Sequence, residues 1–353
     1  ADSKPEYCGP KVFRGVSDQL YLNDGKGKFK DVSKDWGLHR AAGAGFGIGL
    51  LDFNEDGRID VFVANDGEPN NLWINGASGM TDQGFALGVA MNGHGEAEAS
   101  MGVALGDVDM DGHADLFCTH LATESHTLYR RDGAVFKDAT TESGLGSLSL
   151  SFTGFGTQFG DLNGDGAPEI VIANGRVKRG ALLAGAAGPM AAYAEPNQIL
   201  LNDGKGRFST FEDGPKGLDD FCEVSRGLAM ADLDGDGDLD IVVTNSMGPA
   251  RVHINEIPQK GHWLQVSPLQ GSPGSLSFGA RVTIVMKTRR LRARLLSGNS
   301  YLTSVAAPLH FGLGSAETFE EVLVEWSDGL RETFPGGKAD QFLSLRKGKG
   351  KRS

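Results

Sequence analysis

Four stretches of the chain share one pattern of apolar and polar positions: GIGLLDFNEDGRIDVFVAN (47–65), GVALGDVDMDGHADLFCTH (102–120), GTQFGDLNGDGAPEIVIAN (156–174) and GLAMADLDGDGDLDIVVTN (227–245). Each begins with small and apolar residues, passes through an acidic, glycine-bearing run, and resumes in a short β-branched or aromatic run. That order predicts strand, turn, strand. The closing runs IDVFVAN, ADLFCTH, EIVIAN and LDIVVTN are apolar on both faces, so each strand is expected to be buried on both sides. A shorter unit follows each long one and also precedes the first: LYLNDGKGKF (20–29), LWING (72–76), LYRRDGAVF (128–136), ILLNDGKGRF (199–208) and VHINE (252–256). It adds a hairpin turning at DGKG or NG. The first Asp of each long unit falls at 52, 107, 161 and 232, giving spacings of 55, 54 and 71, the last lengthened by an Ala- and Gly-rich insertion at 175–196. Four strands per repeat, arranged radially, predict an all-β β-propeller of four-stranded blades; a solenoid of stacked hairpins is the rival that a buried centre disfavours.

Composition narrows the class. Of 353 residues 52 are Gly, about twice the usual share, and only 13 are Pro. With no G-X-Y period this is not collagen, and 39% hydrophobic residues give the chain a real core. The longest apolar candidate for a membrane span, 181–194, is too short and is broken by Gly185, Gly188 and Pro189, so no transmembrane segment is expected. A net charge of -12 argues against nucleic acid as a partner. Cys8, Cys118 and Cys222 are too few and too far apart for a disulfide scaffold, although one bridge and one free thiol remain open.

Much of the acid recurs at fixed offsets. The turns share the frame D-x-[DN]-x-D-G-x-x-[DE]: Asp52, Asn54, Asp56, Gly57, Asp60; Asp107, Asp109, Asp111, Gly112, Asp115; Asp161, Asn163, Asp165, Gly166, Glu169; and Asp232, Asp234, Asp236, Gly237, Asp240. Oxygens at positions 1, 3 and 5 converge when the chain coils tightly, and Gly at position 6 permits that coil. A backbone carbonyl at position 7 (Arg58, His113, Ala167, Asp238) adds a fourth oxygen, and the carboxylate at position 9 closes the shell. Such hard oxygen donors suit Ca²⁺ over Mg²⁺ or Zn²⁺. The acid at position 9 and the flanking strands exclude an EF-hand. The expected cofactor is Ca²⁺, about four per chain. Eight positive charges from four ions would take -12 to -4. Weak calcium loops fill at extracellular concentrations, which places the protein outside the cytosol, secreted or periplasmic.

No GxSxG, HExxH, P-loop or CxxC is present, and no catalytic residue is assigned. The loops expected on the face opposite the turns bring His94, Glu96, His120, Glu124 and His126 from consecutive connections. They form a speculative transition-metal or acid–base site, weighed against simple solvated loop residues. Near the C-terminus Arg290, Arg292 and Arg294 alternate with apolar residues on an expected strand, lining one face that suits a sulfated glycan, an acidic partner or the chain's own acidic repeats. The closing KGKGKRS reads as a basic, disordered tail.

The long units resemble the FG-GAP/VCBS repeats of integrin α-chain propellers, whose calcium hairpins share the nine-residue frame. The runs CGPKVFRGVSDQLYLNDGKGKF (8–29), VFVANDGEPNNLW (61–73) and MGVALGDVDMDGHADLF (101–117) are similar to the cartilage acidic protein family and its bacterial relatives. HWLQV (262–266), GARVTIV (279–285), SGNSYLTS (297–304), LHFGLG (309–314) and VEWSDG (324–329) resemble the ASPIC/UnbV domain that ends those proteins. The resemblance implies propeller repeats over 1–256 as four full units and a leading half, an ASPIC/UnbV-like β domain over 257–346, and the tail over 347–353. It also implies an adhesion-type module that binds a protein or glycan ligand, with structural calcium. Two alternatives stand beside it: a metal-dependent enzyme of natural-product or surface-polymer metabolism working on the face opposite the calcium loops, and a subunit of a larger assembly.

Overall fold

The computed structural model describes residues 9, 12–211, 217–259, 261–298, 300–304 and 308–352. Strands β1 (Tyr21–Asn23) and β2 (Phe29–Asp31) form a leading hairpin. The first blade is β3 (Gly45–Leu51), β4 (Asp60–Asn65), β5 (Asn71–Gly76) and β6 (Gly79–Asp82), antiparallel throughout. The second is β7 (Val103–Gly106), β8 (Asp115–Cys118), β9 (Thr127–Asp132) and β10 (Val135–Asp138). The third begins with β11 (Gly154–Gly160) and β12 (Glu169–Asn174). After the short β13 (Glu195–Pro196) in the insertion it resumes with β14 (Gln198–Asn202) and β15 (Phe208–Thr210). Strand β13 pairs with β16 (Cys222–Glu223). The fourth sheet has three strands, β17 (Ser225–Ala231), β18 (Asp240–Asn245) and β19 (Arg251–His253), one fewer than expected. No second turn follows VHINE to reverse the chain; it leaves for the C-terminal domain instead.

The blades are radial. Inner strand β3 packs on β7, β7 on β11 and β11 on β17. The first glycine of the first three long units is what allows this. A Cβ on Gly47 would stand 2.2 Å from Met101 O, on Gly102 1.8 Å from Phe155 O, and on Gly156 2.6 Å from Arg226 O. Any side chain there would push neighbouring inner strands apart. Apolar seams fill the gaps between blades: Phe62, Leu72 and Phe53 with Val103, Leu116 and Tyr129; Phe117 and Leu128 with Ile170, Ile172 and Leu200; Val171 and Leu162 with Leu228, Met230 and Ile241. As the two-faced apolar runs predict, β12 is buried along its whole length.

The arc does not close by strand pairing among the described residues, because β1–β2 and β17–β19 are separate sheets. The leading hairpin has the sequence of an outer hairpin, and among the described residues no inner strand pairs with it. Tyr21 and Phe29 are 50% and 64% exposed, whereas Leu200 and Phe208, at matching positions of the third blade, are 1% and 7% exposed. The insertion is a packed surface excursion. Tyr193, Ala194, Cys222 and Val224 form a small core there, and Arg176 pairs with Glu195. Cys118 and Cys222 are buried free thiols, and Cys8 lies outside the described residues.

The C-terminal domain contains two sheets. One is β20 (His262–Gln270) with β21 (Ser275–Leu276), β24 (Leu309–Gly314) and, in parallel, β27 (Gln341–Arg346). The other runs β23 (Arg290–Arg294), β22 (Arg281–Val285), β25 (Thr318–Glu325), β26 (Arg331–Lys338) and β28 (Lys351–Arg352). Leu264, Val282, Ile284, Phe311, Val322 and Trp326 fill the space between them. The basic tail is therefore not disordered over 347–352. Gly348 N–H donates to Glu332, Lys347 pairs with Asp328, and Lys351–Arg352 extends the second sheet.

The connection from β23 to β24 enters the axis of the arc as a finger. Ser300 there is 2% exposed and pairs with Val103 of β7 in both directions. Its hydroxyl accepts from Thr157 N–H (3.0 Å) and donates to Leu228 O (3.2 Å). One serine thus joins the inner strands of three blades, at their ends away from the acidic turns. Beyond it Tyr301 packs on Phe46 and Phe155, and Leu302 is 85% exposed at the tip.

Candidate metal centres in four acidic turns

The four turns fold alike. Position 6 is left-handed in each, with φ of 88° at Gly57, 93° at Gly112, 93° at Gly166 and 104° at Gly237. The position-1 carboxylate reaches across the loop to the position-6 N–H: Asp52 to Gly57 (2.9 Å), Asp107 to Gly112 (2.8 Å), Asp161 to Gly166 (2.7 Å) and Asp232 to Gly237 (3.0 Å). The position-5 carboxylate takes the N–H of position 7, as with Asp56 and Arg58 or Asp236 and Asp238. The position-9 carboxylate clamps two strands. Asp60 accepts from Phe53 and Asn75, Asp115 from Val108 and Arg131, and Asp240 from Leu233 and Asn255, while Glu169 accepts from Leu162.

These contacts gather negative charge in a poorly solvated place. Burial, then neighbouring carboxylates, raises Asp107 to about 6, Asp115 to about 7, Asp161 to about 6 and Glu169 to about 8, against partial relief from backbone donors. Asp238 rises to about 7 for the same first cause, reinforced by Asp236 and Asp240. Ligand oxygens of Asp107, Asp109 and Asp111 lie within 4.8 Å of one another, as do those of Asp232, Asp234 and Asp240. Asp109 Oδ1 and Asp238 Oδ1 are buried without a hydrogen-bond partner. An all-oxygen donor set with orphaned acceptors and crowded like charge fits a hard cation such as Ca²⁺. Asp52, Asn54, Asp56 and Asp60 keep the same frame in the first turn, as do Asp161, Asn163, Asp165 and Glu169 in the third.

The sequence did not reveal that the C-terminal domain covers this face. Arg294 makes a buried ion pair with Asp52 (3.5 Å), and Arg292 donates to Gly112 O (3.0 Å). Gly312 stands directly against Asp161, where a Cβ would come within 1.5 Å of Oδ2. At the fourth turn Gln265 donates to Asp232 Oδ2 (2.7 Å), His310 Nε2 lies 3.0 Å from Gly237 O, and Trp263 packs flat on Gly237. Two residues of the alternating arginine strand thus meet the chain's own acidic repeats. Between domain and inner strands lies an axial cavity of about 250 Å³, walled by Asp52, Asp107, Arg131, Arg292 and Arg294 among others.

On the opposite face the five-residue grouping does not assemble. His94 and Glu96 are exposed in a turn built on Asn92. His120 and His126 are wholly buried in the seam between blades. His120 is held by Ser100 (3.1 Å) and Ser125 O (2.8 Å), and His126 accepts from His120 N–H and turns its edge to Phe117. Burial, then His120, holds the His126 imidazole well below its ordinary range. Glu124 accepts from Ala99 N–H. The residue next to His120 is Glu98, 3.7 Å away, which also accepts from Thr127. These groups satisfy the polar backbone of blade connections, a role that loop position alone does not reveal.

Among the described residues no helix is long and apolar enough to cross a membrane. Comparison with known proteins agrees with the architecture. Cartilage acidic protein 1 of Xenopus tropicalis is 24% identical over 318 residues, 88% of this chain and 38% of that protein; the Homo sapiens protein is 24% identical over 334 residues, 92% and 40%. The chain thus spans about two fifths of the length of these relatives. Among solved structures, an Agrocybe aegerita lectin that recognises non-reducing terminal N-acetylglucosamine aligns at TM-score 0.31 and 15% identity, covering 69% of this chain and 76% of the lectin. The Dos1 propeller aligns at TM-score 0.29 and 9% identity, covering 80% and 68%. The FG-GAP-like repeat model matches residues 12–63, 52–118 and 186–243, and the ASPIC and UnbV model matches 271–352. The chain carries FG-GAP-like repeats, folded as a propeller-type arc of blades, and a C-terminal ASPIC and UnbV domain.

Proposed function

We propose that the protein is a calcium-stabilised binding module of adhesion type, secreted or periplasmic, that presents the face opposite its acidic turns to a protein or glycan. The observation that carries this reading is the repeated turn, with crowded, buried carboxylates and orphaned oxygens that a divalent cation would satisfy. Residues at positions 1, 3, 5 and 9, with the position-7 carbonyls, would hold the ion, which would supply charge neutralisation and cross-linking of strand ends. The turn face is covered by the C-terminal domain and part of the axis is occupied by the finger. What is left for a partner is the mouth around Tyr301, Leu302 and Phe46, where Leu302 is 85% exposed. The cartilage acidic protein relatives support an extracellular setting.

The test is a thermal melt of chelator-stripped protein with and without Ca²⁺, with bound metal counted by mass spectrometry. The midpoint is expected to rise by more than about 5 °C with Ca²⁺ and several ions to be retained per chain. An unchanged midpoint with no retained ion overturns the reading.

A second reading, a subunit of a larger assembly, is favoured by unpartnered apolar surface at both ends of the arc: Tyr21, Leu22 and Phe29 at one end, Leu233, Val252 and Ile254 at the other. It predicts concentration-dependent association in sedimentation velocity. A monomer at high concentration argues against it.

A further inference from the structure

We propose that the first acidic turn is neutralised from within the chain, by Arg294 on Asp52 and Arg58 on Asp56, and that a tight cation site is formed at the fourth turn. The inference rests on the calcium reading and goes beyond it, because the shared sequence frame makes the four turns look equivalent.

The structure makes them unequal. Arg294 comes from the C-terminal domain, 242 residues along the chain, and its side chain is 12% exposed beside an Asp52 side chain that is 4% exposed. Its other partner is Gly279 O, within its own domain. Arg58, at position 7, turns back onto Asp56 and Asn75 O. The two oxygens of Asp60 are engaged by backbone N–H groups. Each carboxylate of the first turn therefore already faces a guanidinium or paired backbone donors, and Asp52, Asp56 and Asp60 form no three-carboxylate group of the kind seen at Asp107, Asp109 and Asp111 or at Asp232, Asp234 and Asp240. A cation entering the first turn would sit beside two fixed positive charges in a partly desolvated place, where like-charge repulsion is weakly screened.

The fourth turn is arranged the other way. Among the described residues no arginine or lysine pairs with Asp232, Asp234, Asp236, Asp238 or Asp240. The C-terminal domain supplies a neutral amide instead: Gln265 orients Asp232 while leaving its charge unopposed. Asp238 is 9% exposed and has an unpartnered Oδ1 beside Asp236 and Asp240. The second turn is intermediate. Arg130 stands 3.6 Å from Asp109 Oδ2 but is shared with Glu142, Arg292 donates to Gly112 O (3.0 Å) and Arg289 reaches the Met110 sulfur (3.6 Å), while Asp109 Oδ1 has no partner. Docking of one domain thus discourages a cation at one end of the turn face and prepares a ligand for it at the other. Outer-shell contacts of this kind shift metal affinity by roughly 10- to 100-fold.

The experiment is a calorimetric Ca²⁺ titration of the chelator-stripped full chain and of Asp52→Asn, Asp232→Asn, Arg294→Lys and Arg294→Ala variants. The wild type is expected to bind fewer than four tight ions. Asp52→Asn should keep the tight count and Asp232→Asn should lose one. Arg294→Lys, which keeps the charge, should behave as wild type, whereas Arg294→Ala should tighten one weak ion by about tenfold or more. Four equivalent tight ions in the wild type, or loss of a tight ion in Asp52→Asn, overturns the inference while leaving the calcium reading intact. No bound Ca²⁺ in any form overturns both. If Arg294→Ala loses its folded circular dichroism signal, the Asp52→Asn and Asp232→Asn pair decides the matter.

Discussion

Two positions in each acidic turn require left-handed backbone, and only one of them is visible in the sequence. Position 6 is Gly in every repeat. Position 4 is Glu55 (φ 58°), Met110 (φ 59°), Gly164 (φ 73°) and Gly235 (φ 85°), so the first two turns hold ordinary side chains in a conformation that costs roughly 1–2 kcal/mol. The position-6 glycines also differ among themselves. A Cβ on Gly57 meets nothing within 4 Å, whereas on Gly237 it would lie 1.9 Å from the Trp263 ring. Gly57→Ala is therefore expected to cost only the conformational term of about 1–2 kcal/mol in urea unfolding. Gly237→Ala should cost clearly more and expose Trp263, read as a shift in its fluorescence. Equal costs would mean that Trp263 does not press on the turn in solution. The glycine frame and the ligand set were legible because both recur within nine residues. Gln265 and His310 were not, since their partners lie 33 and 73 residues away and nothing local marks them; Arg294 was marked by its alternation with Arg290 and Arg292, but not its partner Asp52, 242 residues away.

At the scale of the element, the position-9 acid ties each turn to a strand beyond its own hairpin, and its protonation becomes part of strand pairing. Asp115 and Glu169, with Asp107, Asp161 and Asp238, titrate in the metal-free fold well above the ordinary carboxylate range near 4. Folded protein then holds protons that unfolded chain has lost, so the stability tied to these groups is full below about pH 4 and drains away as pH rises towards 6–8. Histidine acts in the other direction. His310, lowered to about 4 by burial, and His126, which burial holds well below its ordinary range, withdraw stability only as pH falls through about 6.5. Between pH 6.5 and 8 the carboxylates act alone. Chelator-stripped protein should lose melting temperature across that interval, and saturating Ca²⁺ should flatten or reverse the slope; a flat stripped profile would refute the clustering of charge. Blade strands were legible from two-sided apolar runs. The three-stranded fourth sheet was not, because VHINE resembles the other short units and only the missing return turn sets it apart. The C-terminal strand at Lys351–Arg352 was hidden by a basic composition that usually marks a solvated tail.

For the whole molecule, repeat spacing was enough to place the blades around an axis, but not to show that a second domain occupies it. Ser300 carries that union. Ser300→Ala leaves Thr157 N–H and Leu228 O without their buried partner, an expected loss of about 1–3 kcal/mol. Differential scanning calorimetry should show one cooperative transition for the wild type and a splitting into arc and C-terminal domain for the variant. A single undisplaced transition would show that the two are joined elsewhere, through the covered turns. The finger also has a consequence for biosynthesis. Residue 300 leaves the ribosome after the blade strands it joins, so the keystone follows them, and its place must still be accessible then. An arc that sealed itself early would shut out its own centre. The finger therefore has to reach its place before the inner strands settle around it. The pairing it completes spans roughly two hundred residues of sequence, so folding should be slow and limited by this insertion rather than by blade formation.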